Sequence, residues 1–369
     1  MGNEKQRTAN KMKRYKIINI AMIMSLILMT ISCSDSLNSN LKYSAPELKG
    51  YSSQKLDTLS DFLDKSGTSS MIILVDGDVI FEYGNTTKKH LIHSIRKCLL
   101  NSLIGIAVEQ GKIDTSMTLK ELNIQDIDTL SATEQNARIA DLLKSKSGIY
   151  HPAAAMSQGM INSLPKRNSD KPGTYYYYNN WDFNTLGAIL EEKTVESIYE
   201  LFLKEIANPI GMSEYKGEYV VIDGDDENVE MPKVDGFYQY EKSKSKYPAY
   251  HFRMSTRDLA LYGQLYLNNG KWNNKQIISE SWIKSSTTPT SIYNEKYNLG
   301  YGMLWKLRLT DDKKDIVSFY HTGVGIHMLA IYPDYKMVLV HRVDTENDYD
   351  YEKNNIYKML GLVMNSKIE

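Results

Sequence analysis

The chain has 369 residues, and hydrophobic types make up 42% of them, enough to pack the core of one large domain or two modest ones and too apolar for a disordered chain. Lys plus Arg number 44 against 45 for Asp plus Glu, so no basic field favours nucleic acid as a partner. The 27 tyrosines against 7 phenylalanines offer ring area with a polar tip, which suits a wet surface or a cleft.

At the N-terminus Lys11, Lys13, Arg14 and Lys16 precede an apolar run from Ile17 to Ile31 that is too short to span a bilayer comfortably. Residues 1–33 therefore have the pattern of an export signal. The stretch Leu28-Met29-Thr30-Ile31-Ser32-Cys33 resembles a bacterial lipobox, with Thr30 in place of the usual leucine. On that resemblance Cys33 becomes the lipidated first residue of an exported lipoprotein, anchored in the bacterial membrane at the periplasmic face or the cell surface. Residues 34–44 read as a polar tether, and 45–369 as the folded domain.

Leu48, Leu56, Leu59, Phe62 and Leu63 have helical spacing over 45–65. Two apolar runs around Asp76-Gly77 then predict a hairpin, because that pair accepts the positive φ of a tight turn. From His93 to Gly111 the pattern is a mostly buried helix with a glycine at its C-terminal cap. About 98–300 reads as mainly helical, with a charged, irregular excursion at Gly217–Ser245 placed near the substrate mouth. Strands follow at 316–320, 327–332 and 337–343, with Pro333 to Lys336 turning the last pair, and 351–364 is helical. The expected fold is α/β (α+β): an antiparallel sheet built from both chain ends, flanked by helices, with an inserted helical subdomain.

Ser94 stands at the head of the buried helix and Lys97 one turn later on the same face. A serine hydroxyl needs an adjacent base, and lysine serves as one when burial and nearby positive charge lower its pKa. Spacing alone does not select this pair, since Ser-x-x-Lys also begins at Ser39, Ser52, Ser163, Ser213, Ser243 and Ser281. None of those six opens a long apolar helix. Downstream, Tyr178 precedes a helix, where a phenol can relay a proton, and Asn180 either holds the lysine and substrate or caps that helix. His321-Thr322-Gly323 ends a strand, where a glycine lets substrate lie against the edge and the Val324 N–H can join that of Ser94 as an oxyanion hole.

Ser94-Ile95-Arg96-Lys97, Tyr178-Asn179-Asn180 and His321-Thr322-Gly323 together resemble, in order and spacing, the serine β-lactamase and penicillin-binding-protein superfamily, and within it the class C β-lactamase, DD-peptidase and esterase branch. The resemblance runs from about Ile72 to Val343. It implies a β-lactamase/DD-peptidase-like fold with the site between sheet and helical subdomain, Ser94 as acylated nucleophile, Lys97 as base, Tyr178 as proton relay, and no cofactor or metal. The implied partner is a small acyl or peptide substrate. Transfer of the acyl group to an alcohol acceptor and an idle penicillin or peptidoglycan receptor are the alternatives.

No His-Glu-x-x-His spacing and no Gly-x-Ser-x-Gly elbow occurs, which speaks against a metallohydrolase and an α/β-hydrolase. His321 stands where many β-lactamases carry lysine, so esterase or amidase chemistry ranks ahead of D-amino-acid peptide hydrolysis and β-lactam hydrolysis. Cys98 reads as a small buried helix residue, Arg96 as solvated or paired with a carboxylate, and Asp182 and Asn184 as residues that orient the loop or, more simply, cap the helix. His93 and His151 carry no chemistry that can be read from sequence.

Overall fold

The run Met71 to Val75 and its continuation after Asp76-Gly77 fold as the sequence dictates, into antiparallel strands β2 (Ser70–Val75) and β3 (Asp78–Gly84). Asp76 and Gly77 supply φ of 50° and 82° at the turn. The computed structural model describes residues 41–368. The export signal, Cys33 and the tether up to residue 40 lie outside them. Near the tether's end, Lys42–Tyr43 form a short strand, β1, paired parallel with β3.

Nine strands make the main sheet, in the order β1-β3-β2-β15-β14-β13-β12-β11-β10. The later members are β10 (Ser291–Asn294), β11 (Leu299–Tyr301), β12 (Lys306–Leu309), β13 (Ile316–Gly323), β14 (His327–Tyr332) and β15 (Met337–Arg342). Its centre joins the two ends of the domain, with β2 antiparallel to β15 from Ser70↔Arg342 to Val75↔Met337. Both faces are covered, so these strands are apolar on successive residues instead of alternating with polar ones. Met71, Ile73, Met337 and Leu339 pack against helix α1 (Ser53–Leu63) and the C-terminal helix Asn355–Asn365. Ile72, Leu74, Val338 and Val340 face the other way, into the larger core.

The segment 98–300 is less purely helical than its pattern suggests. It holds helices α2 (Arg96–Glu109), α3 (Asn180–Thr194) and α4 (Thr256–Leu267). It also contributes β5 (Tyr219–Asp223), β6 (Gly236–Tyr240) and β7 (Ala249–Met254) to a second sheet ordered β4-β7-β6-β5, where β4 is His90–Leu91. A hairpin of β8 (Lys271–Trp272) and β9 (Lys275–Gln276) follows, and the segment's last strands already belong to the main sheet. The charged excursion 217–245 thus contains β5 and β6, because Tyr219 to Ile222 gains backbone partners on β6 that no local pattern announces. Helix α4 lies on the main sheet, and a Cβ at Gly263 would sit 2.4 Å from Val338 Cγ1.

Two expected boundaries move. Over 45–65, only Ser53–Leu63 is α-helix: Gly50 adopts φ 78°, Ser52 caps the helix by accepting from the Lys55 N–H, and Leu48 is exposed. The strand expected at 316–320 continues through Gly323, since His321, Thr322 and Gly323 pair with Leu329, Met328 and His327.

Candidate active site

Helix α2 is buried on every face, and its first turn follows a 3-10 turn at His93–Ile95 that carries Ser94. His93 holds φ 49°, a left-handed conformation that turns the chain sharply from β4 into the helix. Its ring is tied down by an Nε2 contact of 2.8 Å to Thr345 Oγ1. Strand β13 passes so close that a Cβ at Gly323 would lie 2.7 Å from the Ile92 carbonyl oxygen. Glycine at 323 is therefore a requirement of this approach, and His93 is a buttress that sequence could not reveal.

Lys97 Nζ stands 3.0 Å from Ser94 Oγ. Lys97 is 1% exposed, and burial, followed by the charges of Arg96 and Lys306, holds its pKa well below the ordinary lysine value. Nζ also lies over the rings of Tyr178 and Phe183, 5.1 and 4.9 Å from their centroids. Tyr178 is shifted the other way: burial raises its phenol pKa, and a hydrogen bond with Ser94 only partly offsets this. Opposed shifts of this kind favour a neutral amine and a protonated phenol side by side.

His321 is fully buried and held neutral by desolvation, then by Lys306 and Lys97. Its Nδ1 is 3.0 Å from the Thr322 carbonyl oxygen, which can only accept, so the ring proton sits on Nδ1. The bare Nε2 faces the Tyr178 hydroxyl at 3.4 Å and orients it. Ser145 positions that tyrosine's backbone, donating to the Tyr177 carbonyl at 2.8 Å and accepting from the Asn179 N–H at 3.1 Å.

Capping falls to Asn179, whose side chain accepts from the Trp181 N–H at 3.1 Å. Asn180 is the first helical residue instead; its amide nitrogen donates to the Ala155 carbonyl at 2.6 Å and its Oδ1 is buried without a partner. Asp182 accepts from Asn179 Nδ2 at 3.0 Å and is pushed well above the usual carboxylate range by burial. Asn184 donates to Ala154, so these two brace the loop and do not cap. His151 is taken up structurally by Glu134, at 3.0 Å. Cys98 is buried, its thiol pushed up by burial, with Sγ 3.7 Å from the Leu304 carbonyl.

Ser94, Lys97, Tyr178, Asn180 and Val324 line one groove of about 650 Å³ together with Arg96, Met156, Gln239, Glu241 and His251. Ser94 and Val324 each stand in the opening of a 3-10 turn, where N–H groups lack intrahelical partners. Past Lys306↔Tyr320, β12 no longer pairs with β13, which leaves His321 to Gly323 as a free edge on that side. Lys306 itself reaches Thr322 Oγ1 at 3.0 Å, and burial lowers its pKa to about 8. No spacing rule in the sequence marks this lysine, because it comes to the site through strand pairing alone.

The fold, with the Ser94 and Lys97 pair at the head of a buried helix, defines the class of serine hydrolases related to penicillin-binding proteins. The Beta-lactamase family model matches residues 58–360, and the chain belongs to that family. Among solved structures it is similar to a putative 6-aminohexanoate-dimer hydrolase from Bacillus anthracis, at 20% identity, covering 88% of this chain and 86% of that one with a TM-score of 0.61. It is similar also to a class C beta-lactamase, at 15% identity over 85% of this chain and 96% of the other, TM-score 0.61. A third is EstCE1, a hydrolase with promiscuous acyltransferase activity, at 13% identity over 84% and 97%, TM-score 0.59. No curated protein matches the sequence.

Proposed function

We propose that the protein is an exported acyl-serine hydrolase acting on an ester or amide of a small acyl substrate. The observation that carries this reading is Lys97 Nζ at 3.0 Å from Ser94 Oγ in a buried site that favours the neutral amine. Lys97 takes the Ser94 proton as Oγ attacks the substrate carbonyl, and the N–H groups of Ser94 and Val324 hold the oxyanion. Tyr178, kept protonated by burial and oriented by His321, passes its proton to the leaving group as its bond to the acyl carbon breaks, and the proton that Lys97 took from Ser94 returns to the phenol, so that lysine and tyrosine end as they began. Water then releases the acid from Ser94, and an alcohol that displaces water from the groove would take the acyl group instead. Cys33 carries the lipid that holds the enzyme to the membrane; incorporation of labelled palmitate into wild type and not into Cys33→Ala supports this, and no incorporation into wild type rules it out.

A second reading, a D-alanyl-D-alanine-type peptidase or β-lactamase, is favoured by Lys306. Its ammonium on Thr322 restores beside the free edge of β13 a cation that His321 does not supply. Purified mature protein assayed on p-nitrophenyl esters, D-alanyl-D-alanine peptides and nitrocefin separates the two. Ester turnover lost in Ser94→Ala is the expected result, and nitrocefin or peptide turnover exceeding ester turnover supports the second reading.

A further inference from the structure

Arg96 lies between nucleophile and base in sequence and lines the same groove, yet it is neither solvated nor paired with a carboxylate. It is 4% exposed, its Nη1 reaches only the His93 carbonyl at 3.4 Å, and its guanidinium carbon stands 5.3 Å from the centre of the Tyr250 ring. Nε and Nη2 are buried and have no hydrogen-bond partner. These two N–H groups share one edge of the guanidinium, the edge whose geometry matches both oxygens of a carboxylate. The chain uses that edge in this way at Arg253, whose Nε and Nη2 meet Glu346 Oε1 and Oε2 at 2.9 and 3.1 Å.

A buried cation with unmet donors is costly to the fold, so its retention in a substrate groove calls for a ligand. The carboxylate already in the groove, Glu241, is committed elsewhere: Oε1 accepts from the Ala155 N–H and Gln239 Nε2, both at 2.7 Å, and Oε2 is held by Lys244. The leaving group has to lie at the Tyr178 hydroxyl, whose neighbours are His321 and Lys97, whereas the Arg96 guanidinium has the His93 carbonyl and the Tyr250 ring as its neighbours.

We infer that Arg96 is a specificity-determining residue that receives a free carboxylate carried on the acyl part of the substrate. The substrate class is then an ester or amide of a dicarboxylic acid, with one carboxyl group acylating Ser94 and the other on the Nε and Nη2 edge of Arg96. This rests on the acyl-serine reading above and narrows it.

The test compares mono-p-nitrophenyl adipate with p-nitrophenyl hexanoate, which share chain length and differ in a terminal carboxylate. Wild type is expected to favour the adipate ester in kcat/KM by at least about tenfold, the scale of one charge-assisted hydrogen bond. In Arg96→Gln the ratio falls to about one, and Arg96→Lys, which keeps the charge without the fork, falls between; thermal unfolding shows that both variants fold. A wild-type ratio of one or less overturns the inference without any variant. So does an Arg96→Gln enzyme in which both rates drop together with the ratio intact, because Arg96 would then act only through the pKa of Lys97. Release of p-nitrophenol from neither ester, with no labelling of Ser94 by a fluorophosphonate, would instead overturn the hydrolase reading itself.

Discussion

Arg253 on β7 and Arg96 at the head of α2 are buried to a similar depth, and they live in opposite electrostatic conditions. Around Arg253 every demand is met: both oxygens of Glu346 face its side-on edge, and the Lys89 carbonyl accepts from Nη2 at 3.1 Å. Glu346 in turn accepts from the Leu91 N–H at 3.1 Å, so this cluster ties β7 to β4 and to the segment that follows β15. Around Arg96 the Nε and Nη2 donors are unmatched, the neighbouring lysine has its pKa lowered by burial, and Asn180 Oδ1 and His251 Nε2 are also unmatched. One region spends its polar groups on holding the fold together, and the other leaves them for something outside the chain.

The largest expected effect breaks the comparison on its stable side. Arg253→Met leaves the buried Glu346 with only the exposed Lys233, 3.4 Å away, and is expected to lower unfolding stability toward the lower end of about 3–5 kcal/mol, read by urea denaturation. Arg96→Met removes a cation that nothing balances and is expected to cost no stability or to raise it. Equal losses in the two variants would mean that Arg96 has a partner within the fold after all. Next in size, Lys97→Ala is expected to lose at least about 100-fold in turnover while remaining folded, on the scale of general-base catalysis. Near-normal turnover in that variant removes the lysine from its role.

Gly323→Ala forces a methyl against the Ile92 carbonyl and the His93 Cβ and is expected to destabilise by about 1–3 kcal/mol. Activity should fall further than that loss explains, since the same shift displaces the turn bearing Ser94; a variant that melts lower yet turns over normally would show that the approach of β13 is structural only. A further effect is on pH. His90, His93 and His341 are held down to about 4 by burial, with the charge of Arg342 adding at His90 and that of Arg96 at His93. The unfolded chain, whose histidines titrate near 6.5, therefore binds more protons across this window. Stability is full above about 6.5 and is lost as pH falls toward 4. His93→Gln should flatten that slope, and an unchanged slope would assign it to other groups.

Much of the site was legible because its chemistry is local in sequence. Ser94 and Lys97 share one helical turn, Tyr178 abuts a helix start, and the strand that ends at Gly323 was visible in its apolar run. The unread parts depend on residues distant in the chain. Lys306 reaches Thr322 through the pairing of β12 with β13, and the turn at His93 lies so close to Gly323 that no side chain fits there. For Arg96, a solvated or ion-paired guanidinium was the ordinary expectation, and only three-dimensional packing shows that it is neither. Of the two roles open to Asn180, capping falls one residue earlier, to Asn179, because that is the one with extended backbone, at φ −119°. Helix α1 begins later than its apolar spacing suggests, because Gly50 takes a left-handed turn that hydrophobic periodicity does not register.

The central claim is that Ser94 is the nucleophile and that neutral Lys97 activates it. The most direct measurement is the rate of fluorophosphonate labelling as a function of pH, with the modified residue located by mass spectrometry. The adduct is expected on Ser94 alone, absent in Ser94→Ala, with a rate that climbs with pH to a plateau well below the ordinary lysine pKa and that collapses in Lys97→Ala. An adduct on any other residue, or a rate that still climbs through the ordinary lysine range, would contradict it.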